Sequence, residues 1–104
     1  MLFQITTHHT YKNCPARAGG FQSELFQTAH EWVNGNTEVK FLCAWASPKS
    51  HTGFSIVSAN DMESLVSLLK EPMLNGDVEI KPVIDLTEVV SNRQHNHVTT
   101  NLYR

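Results

Sequence analysis

Glu38-Val-Lys-Phe-Leu-Cys-Ala-Trp-Ala46, then Ser47-Pro-Lys-Ser50, then Phe54-Ser-Ile-Val-Ser-Ala59 is the stretch that decides the fold. The first run alternates, with Val39, Phe41, Cys43 and Trp45 on one face and Lys40, Leu42, Ala44 and Ala46 on the other. Period-2 alternation in a segment rich in β-branched and aromatic residues predicts a strand. Both faces are largely apolar, so both are expected to be covered. Pro48 and its polar neighbours make a turn, and a connection this short joins two antiparallel strands into a hairpin.

Upstream of the hairpin, Leu2 to His9 also alternates. Phe3, Ile5, Thr7 and His9 point one way; Leu2, Gln4, Thr6 and His8 point the other. A loop follows over 10–20, marked by Asn13, Pro15 and the Gly19-Gly20 pair. Phe21, Leu25, Ala29 and Trp32 then fall at helical spacing, and Phe26 and Val33 widen the stripe. The spacing predicts one helix over 21–33, stopped at Asn34-Gly35.

Downstream, Asn60-Asp-Met-Glu63 reads as a capping box, with Asn60 as the cap and Glu63 reaching back to it. The helix that follows buries Met62, Leu65, Leu68 and Leu69 and ends at Glu71-Pro72. Val78 to Leu86 is a fourth strand, and Pro82 places it at an edge or a bulge. The order is β-α-β-β-α-β, a ferredoxin-like α+β domain over residues 1–88 with two helices on one face of a four-stranded antiparallel sheet. The other face is left bare, and on a small chain such an apolar patch marks an interface or a groove. Residues 89–104 are polar, and their composition by itself reads as disorder; if the tail is ordered, Val98, Leu102 and Tyr103 are expected to pin it on a partner subunit.

Bulk properties narrow the class. One hundred and four residues make one domain. A net charge of -2 argues against a nucleic-acid footprint, which needs a basic stripe. There is no apolar run of membrane-spanning length and no basic, apolar leader at Met1, so a cytoplasmic address is expected. Cys14 and Cys43 are then expected to be free thiols.

The layout resembles the dimeric α/β-barrel superfamily, and most closely an uncharacterised, domain-of-unknown-function branch of it. The carrying features are Met1-Leu2-Phe3, the hairpin Val39–Trp45 leading to Phe54–Val57, Asn60-Asp-Met-Glu-Ser-Leu65 and Val78-Glu-Ile-Lys-Pro-Val83. The resemblance implies ferredoxin-like protomers whose bare sheet faces close together in a homodimer or higher oligomer. It implies one small-molecule site per protomer, and relatives that include cofactor-independent monooxygenases and isomerases.

Candidate site residues follow. In the leading reading a small apolar or aromatic compound binds a cavity lined by Gln4, Thr6, Phe41, Cys43 and Trp45. His8 acts as the catalytic base or orienting donor, because an imidazole titrates near neutrality. No cofactor is expected in that reading. In the alternative, His8, His9 and Cys14 supply the nitrogen and sulfur donors that zinc or copper prefers. A second alternative is a non-catalytic assembly module whose interior is filled by side chains. His30 is read as a cation suited to a helix C-terminus, His51 as a solvated turn residue, and Asp85 as a partner for a histidine across the sheet.

Overall fold

The structure is a computed structural model and describes residues 1–95. The expected contacts of Val98, Leu102 and Tyr103 lie outside the described residues. Strand β1 (Leu2–His8) pairs antiparallel with β3 (Thr52–Ala59) on one side and with β4 (Asp77–Val83) on the other; β2 (Val39–Ser47) pairs with β3. The strand order is β2-β3-β1-β4. This four-stranded antiparallel sheet with helices packed on it is the expected α+β, ferredoxin-like arrangement.

One face of the sheet carries the core. Phe3 and Ile5 of β1, Val39 of β2 and Val57 and Ala59 of β3 are buried against Leu65 and Leu69 of the helix α2 (Met62–Leu68) and its C-cap. Phe41, Trp32, Val78 and Ile80 pack around this cluster. The expectation that Phe3 and Ile5 meet the helices therefore holds.

Strand β2 does not alternate as its sequence suggests. Phe41 pairs with Val57, but Cys43 pairs with Ile56, so Leu42 is an extra residue in a β-bulge. A one-residue insertion exchanges the two faces for every residue beyond it. Phe41 stays on the core face, 5.6 Å from the Trp32 ring. Cys43 and Trp45 pass to the opposite face with Ile56 and Phe54, and Ala44 and Ala46 turn to the helix side. The expected single face of Phe41, Cys43 and Trp45 is thus split in two.

The predicted helix over 21–33 is broken. Ser23 accepts a hydrogen bond from the Phe26 N–H at 3.1 Å and caps a short helix α1 (Glu24–Ala29), so Phe21 lies before the helix in a 3-10 turn. His30 ends it, and Trp32 and Val33 belong to a second 3-10 turn (Glu31–Asn34). Ser and Thr compete for backbone donors and favour caps over helix interiors, which is why Ser23 restarts the helix.

Further along, Asp61 and not Asn60 caps α2, accepting from the Ser64 N–H at 2.8 Å. The chain also runs past Glu71-Pro72. A short helix α3 (Lys70–Asn75) holds Pro72 in its first turn, where a missing N–H costs nothing. Pro82 sits in β4, an edge strand, as expected. That strand stops at Val83 instead of reaching Leu86. Asp85 accepts from the Glu88 N–H at 3.1 Å at the start of helix α4 (Leu86–His95), so its carboxylate caps a helix, and among the described residues no histidine partners it. The expected boundary at residue 88 falls inside this helix.

Two outcomes follow. Leu65→Ala should lower the unfolding free energy by about 2–5 kcal/mol in a urea titration, because the side chain is fully buried. Hydrogen bonding from the Ser64 backbone holds the Asp61 carboxyl below the usual carboxylate range. A depressed carboxylate stabilises above its unfolded value and loses that contribution as pH falls through the folded one. Asp61→Ala should therefore lower the thermal midpoint at pH 7, with the gap to the parent protein closing in acid.

Candidate functional site

The helix side of the sheet is not fully covered. Residues 10–34 form a flap of short turns around α1, built from the 3-10 turns Tyr11–Asn13, Pro15–Arg17 and Gly20–Gln22 and the one after His30. Under the flap lies a cavity of about 480 Å³. Its walls include Phe21, Phe26, His30 and Trp32, and its floor is the sheet at Thr7, Ala44, Ala46 and Gly53. Ala44 and Ala46 are small floor residues because the bulge at Leu42 has turned them toward the flap, while Trp45 of β2 and Phe54 of β3 also border the cavity.

One end of the cavity holds His9, Cys14 and His51. A ring nitrogen from each histidine and the Cys14 sulfur lie within 4.8 Å of one another. Three separate segments deliver them. His9 follows β1 and continues the buried face of Phe3, Ile5 and Thr7. Its N–H donates to the His51 carbonyl at 3.1 Å, which ties the end of β1 to the hairpin turn. His51 stands in that turn with φ +54°, a left-handed conformation in which histidine is enriched among non-glycine residues. Cys14 sits between two 3-10 turns, and its carbonyl accepts from the Arg17 guanidinium at 2.9 Å.

The imidazoles of His9 and His51 lie edge to face at 5.2 Å. His9 Nε2 and His51 Nδ1 are buried without a hydrogen-bond partner among the described residues. Buried polar atoms normally find partners, so two orphan imidazole nitrogens beside a thiol need a reason. Burial, and then the proximity of His51, His30 and His8, hold the His9 pKa below its ordinary value. The neutral ring is the form that binds a metal ion.

The candidate residues are distributed as follows. His9 and Cys14 come together, and the third member of their cluster is His51 instead of His8. His51 is half-buried here, not a solvated turn residue. His8 is exposed at the end of β1, opposite Asp77 and Thr52, because adjacent strand residues point to opposite faces. Gln4, Cys43 and Trp45 meet Phe54 and Ile56 in a shallow hollow on the bare face. Thr6 accepts from the Gln4 amide at 3.3 Å on that same face. Phe41 is on the other side, in the core. His51 escaped the sequence reading because 42 residues separate it from His9. The usable signal was the short hairpin turn that carries it, which β-pairing returns to the end of β1. His30, at the end of α1, borders the cavity with its Nδ1 3.0 Å from the Phe26 carbonyl.

Cys14 and Cys43 are both free. Among the described residues no helix is long and apolar enough to cross a membrane.

An α+β domain with a histidine–thiol cluster at the end of a flap-covered cavity is the class that fold and site define. The chain belongs to the family described as a domain of unknown function, DUF3303, whose family model matches residues 1–95. No curated protein and no solved structure matches it.

Gly76 supports the cluster from behind. A Cβ there would stand 2.1 Å from the His8 carbonyl oxygen and 3.1 Å from the His9 Cα. Gly76→Ala should cost about 1–3 kcal/mol in stability by overpacking. It should also shift the His9 ring resonances in NMR spectra.

Proposed function

We propose that this domain binds a transition-metal ion, zinc or copper, through His9, Cys14 and His51. The observation that carries the reading is the convergence of two imidazoles and one thiol from three chain segments, each imidazole also holding a buried nitrogen without a partner among the described residues. Nitrogen and sulfur donors of this softness suit zinc and copper over magnesium or calcium. In a tetrahedral zinc site, bonds of roughly 2.0–2.3 Å put neighbouring donors about 3.4–3.6 Å apart. The three atoms lie within 4.8 Å of one another and would close by about 1 Å to reach that spacing. Three protein donors also match the pattern of sites that keep one position for water or substrate. A metal held here would supply Lewis-acid chemistry, or electron transfer if it is copper, next to the cavity. The chain's own part is to present the three donors together and partly shielded from water.

The bare sheet face belongs to the same reading. Trp45 is 69% exposed and Phe54 44% exposed there, with Ile56 next to them on the same face of β3. Such a patch supports pairing with a second copy through the sheet. Size-exclusion chromatography of Trp45→Glu tests this. The variant should elute as a smaller species than the parent protein, and co-elution of the two would count against the dimer.

Elemental analysis of protein purified without an affinity tag tests the metal. Close to one zinc or copper per chain is expected, with several-fold less in Cys14→Ser and in His51→Asn, where Asn tolerates the left-handed backbone. His8→Ala should retain the metal. Cobalt loading should give a thiolate charge-transfer band in the parent protein and none in Cys14→Ser. A parent protein that binds no metal and shows no such band sinks the proposal.

A further inference from the structure

The chain carries more acidic than basic side chains and a net charge of -2. Yet among the described residues, no Asp or Glu lines the cavity under the flap. The charged or chargeable groups at its border are Arg17, His9, His30, His51, Cys14 and Tyr11. Arg17 spends one N–H on the Cys14 carbonyl at 2.9 Å. A guanidinium has further donors in a planar fork that suits a carboxylate or another oxyanion. Both orphan imidazole nitrogens lie at this same end.

The wall is a run of rings. Phe21 and Phe26 stand edge to face at 5.2 Å, Phe26 and His30 are 4.2 Å apart, and His30 and Trp32 are 6.4 Å apart. Rings at these separations offer flat apolar surface to another ring. The volume of about 480 Å³ falls in the range of pockets that hold small organic ligands.

We infer that the cavity takes a planar aromatic anion, a carboxylate or phenolate. Its ring lies along Phe21, Phe26 and Trp32, and its charge sits at the Arg17 and His9–Cys14–His51 end. The aromatic wall, Arg17 and the absence of lining carboxylates carry this by themselves; it rests on the metal reading only for how firmly the anion is held.

The test is calorimetric titration of the untagged protein, of known metal content, with 2-naphthoate, its neutral counterpart 2-naphthamide, and the non-aromatic anion cyclohexanecarboxylate. One naphthoate per chain is expected, bound about tenfold or more tightly than either control, as one charge-assisted hydrogen bond or one stacked ring contributes. Arg17→Gln, an exposed position that should not affect folding, should reduce the preference for naphthoate over naphthamide. Phe21→Ala, also largely exposed, should weaken both naphthyl compounds alike and leave the metal content unchanged. Metal-loaded protein that binds naphthoate no better than the amide overturns the inference and leaves the metal reading standing. Metal-free protein that keeps the naphthoate preference does the reverse. Failure of both measurements removes both.

Discussion

The bulge at Leu42 is the constraint on which the site depends. It adds one residue to β2 between the pairs Phe41–Val57 and Cys43–Ile56. Before it, the helix-facing side chains are Val39 and Phe41, large groups that close the core against Trp32, Leu65 and Leu69. After it, the helix-facing side chains are Ala44 and Ala46. Without the extra residue, Cys43 and Trp45 would project under the flap, and an indole would occupy the space that is now a cavity. The same inversion puts Trp45 and Cys43 on the bare face beside Phe54 and Ile56. One irregularity in backbone pairing thus separates a packed half of the sheet from a hollow half.

The flap completes the arrangement. A continuous helix over 21–33 would have laid its apolar stripe flat on the sheet. The cap at Ser23 and the break at His30 divide it into short turns, and these hold Phe21, Phe26 and Trp32 around a space instead of in it. Short turns bury little surface each, so this region has little stability of its own apart from the sheet. The bond from the His9 N–H to the His51 carbonyl and the seat of Gly76 under His8 fix the opposite rim. The histidine–thiol cluster therefore stands where a strand end, a hairpin turn and the flap meet. Only the first two of these are anchored in the β-ladder.

Charge is distributed unevenly about this site. The acidic residues that give the chain its net negative charge are absent from the cavity lining among the described residues, whereas a guanidinium and three imidazoles border it. Neutral His9 is favoured by burial and by its histidine neighbours. A site that favours neutral His9 beside a second imidazole and a thiol suits a cation as ligand in its donor cluster. Its rim suits an anion. The two demands are compatible because a bound metal would add positive charge at the same end of the cavity.

The sequence by itself determined the order of the four strands and the buried faces of β1 and α2. Phe3 and Ile5, Leu65 and Leu69, and Pro82 in an edge strand could all be read from alternation, helical spacing and the missing N–H of proline, because these are local properties of the chain. It also showed His9 and Cys14 as candidate ligands, since they lie five residues apart at the end of a strand. Only the tertiary structure decided that His51, not His8, joins them, because β-pairing across a turn sets that distance and no local pattern encodes it. It alone decided that Phe41 parts from Cys43 and Trp45, since a bulge is a property of two paired strands and leaves no mark in the alternation of one. The cavity follows from the same cause: hydrophobic spacing tells which residues turn inward, but not how far apart the inward-turned surfaces come to rest.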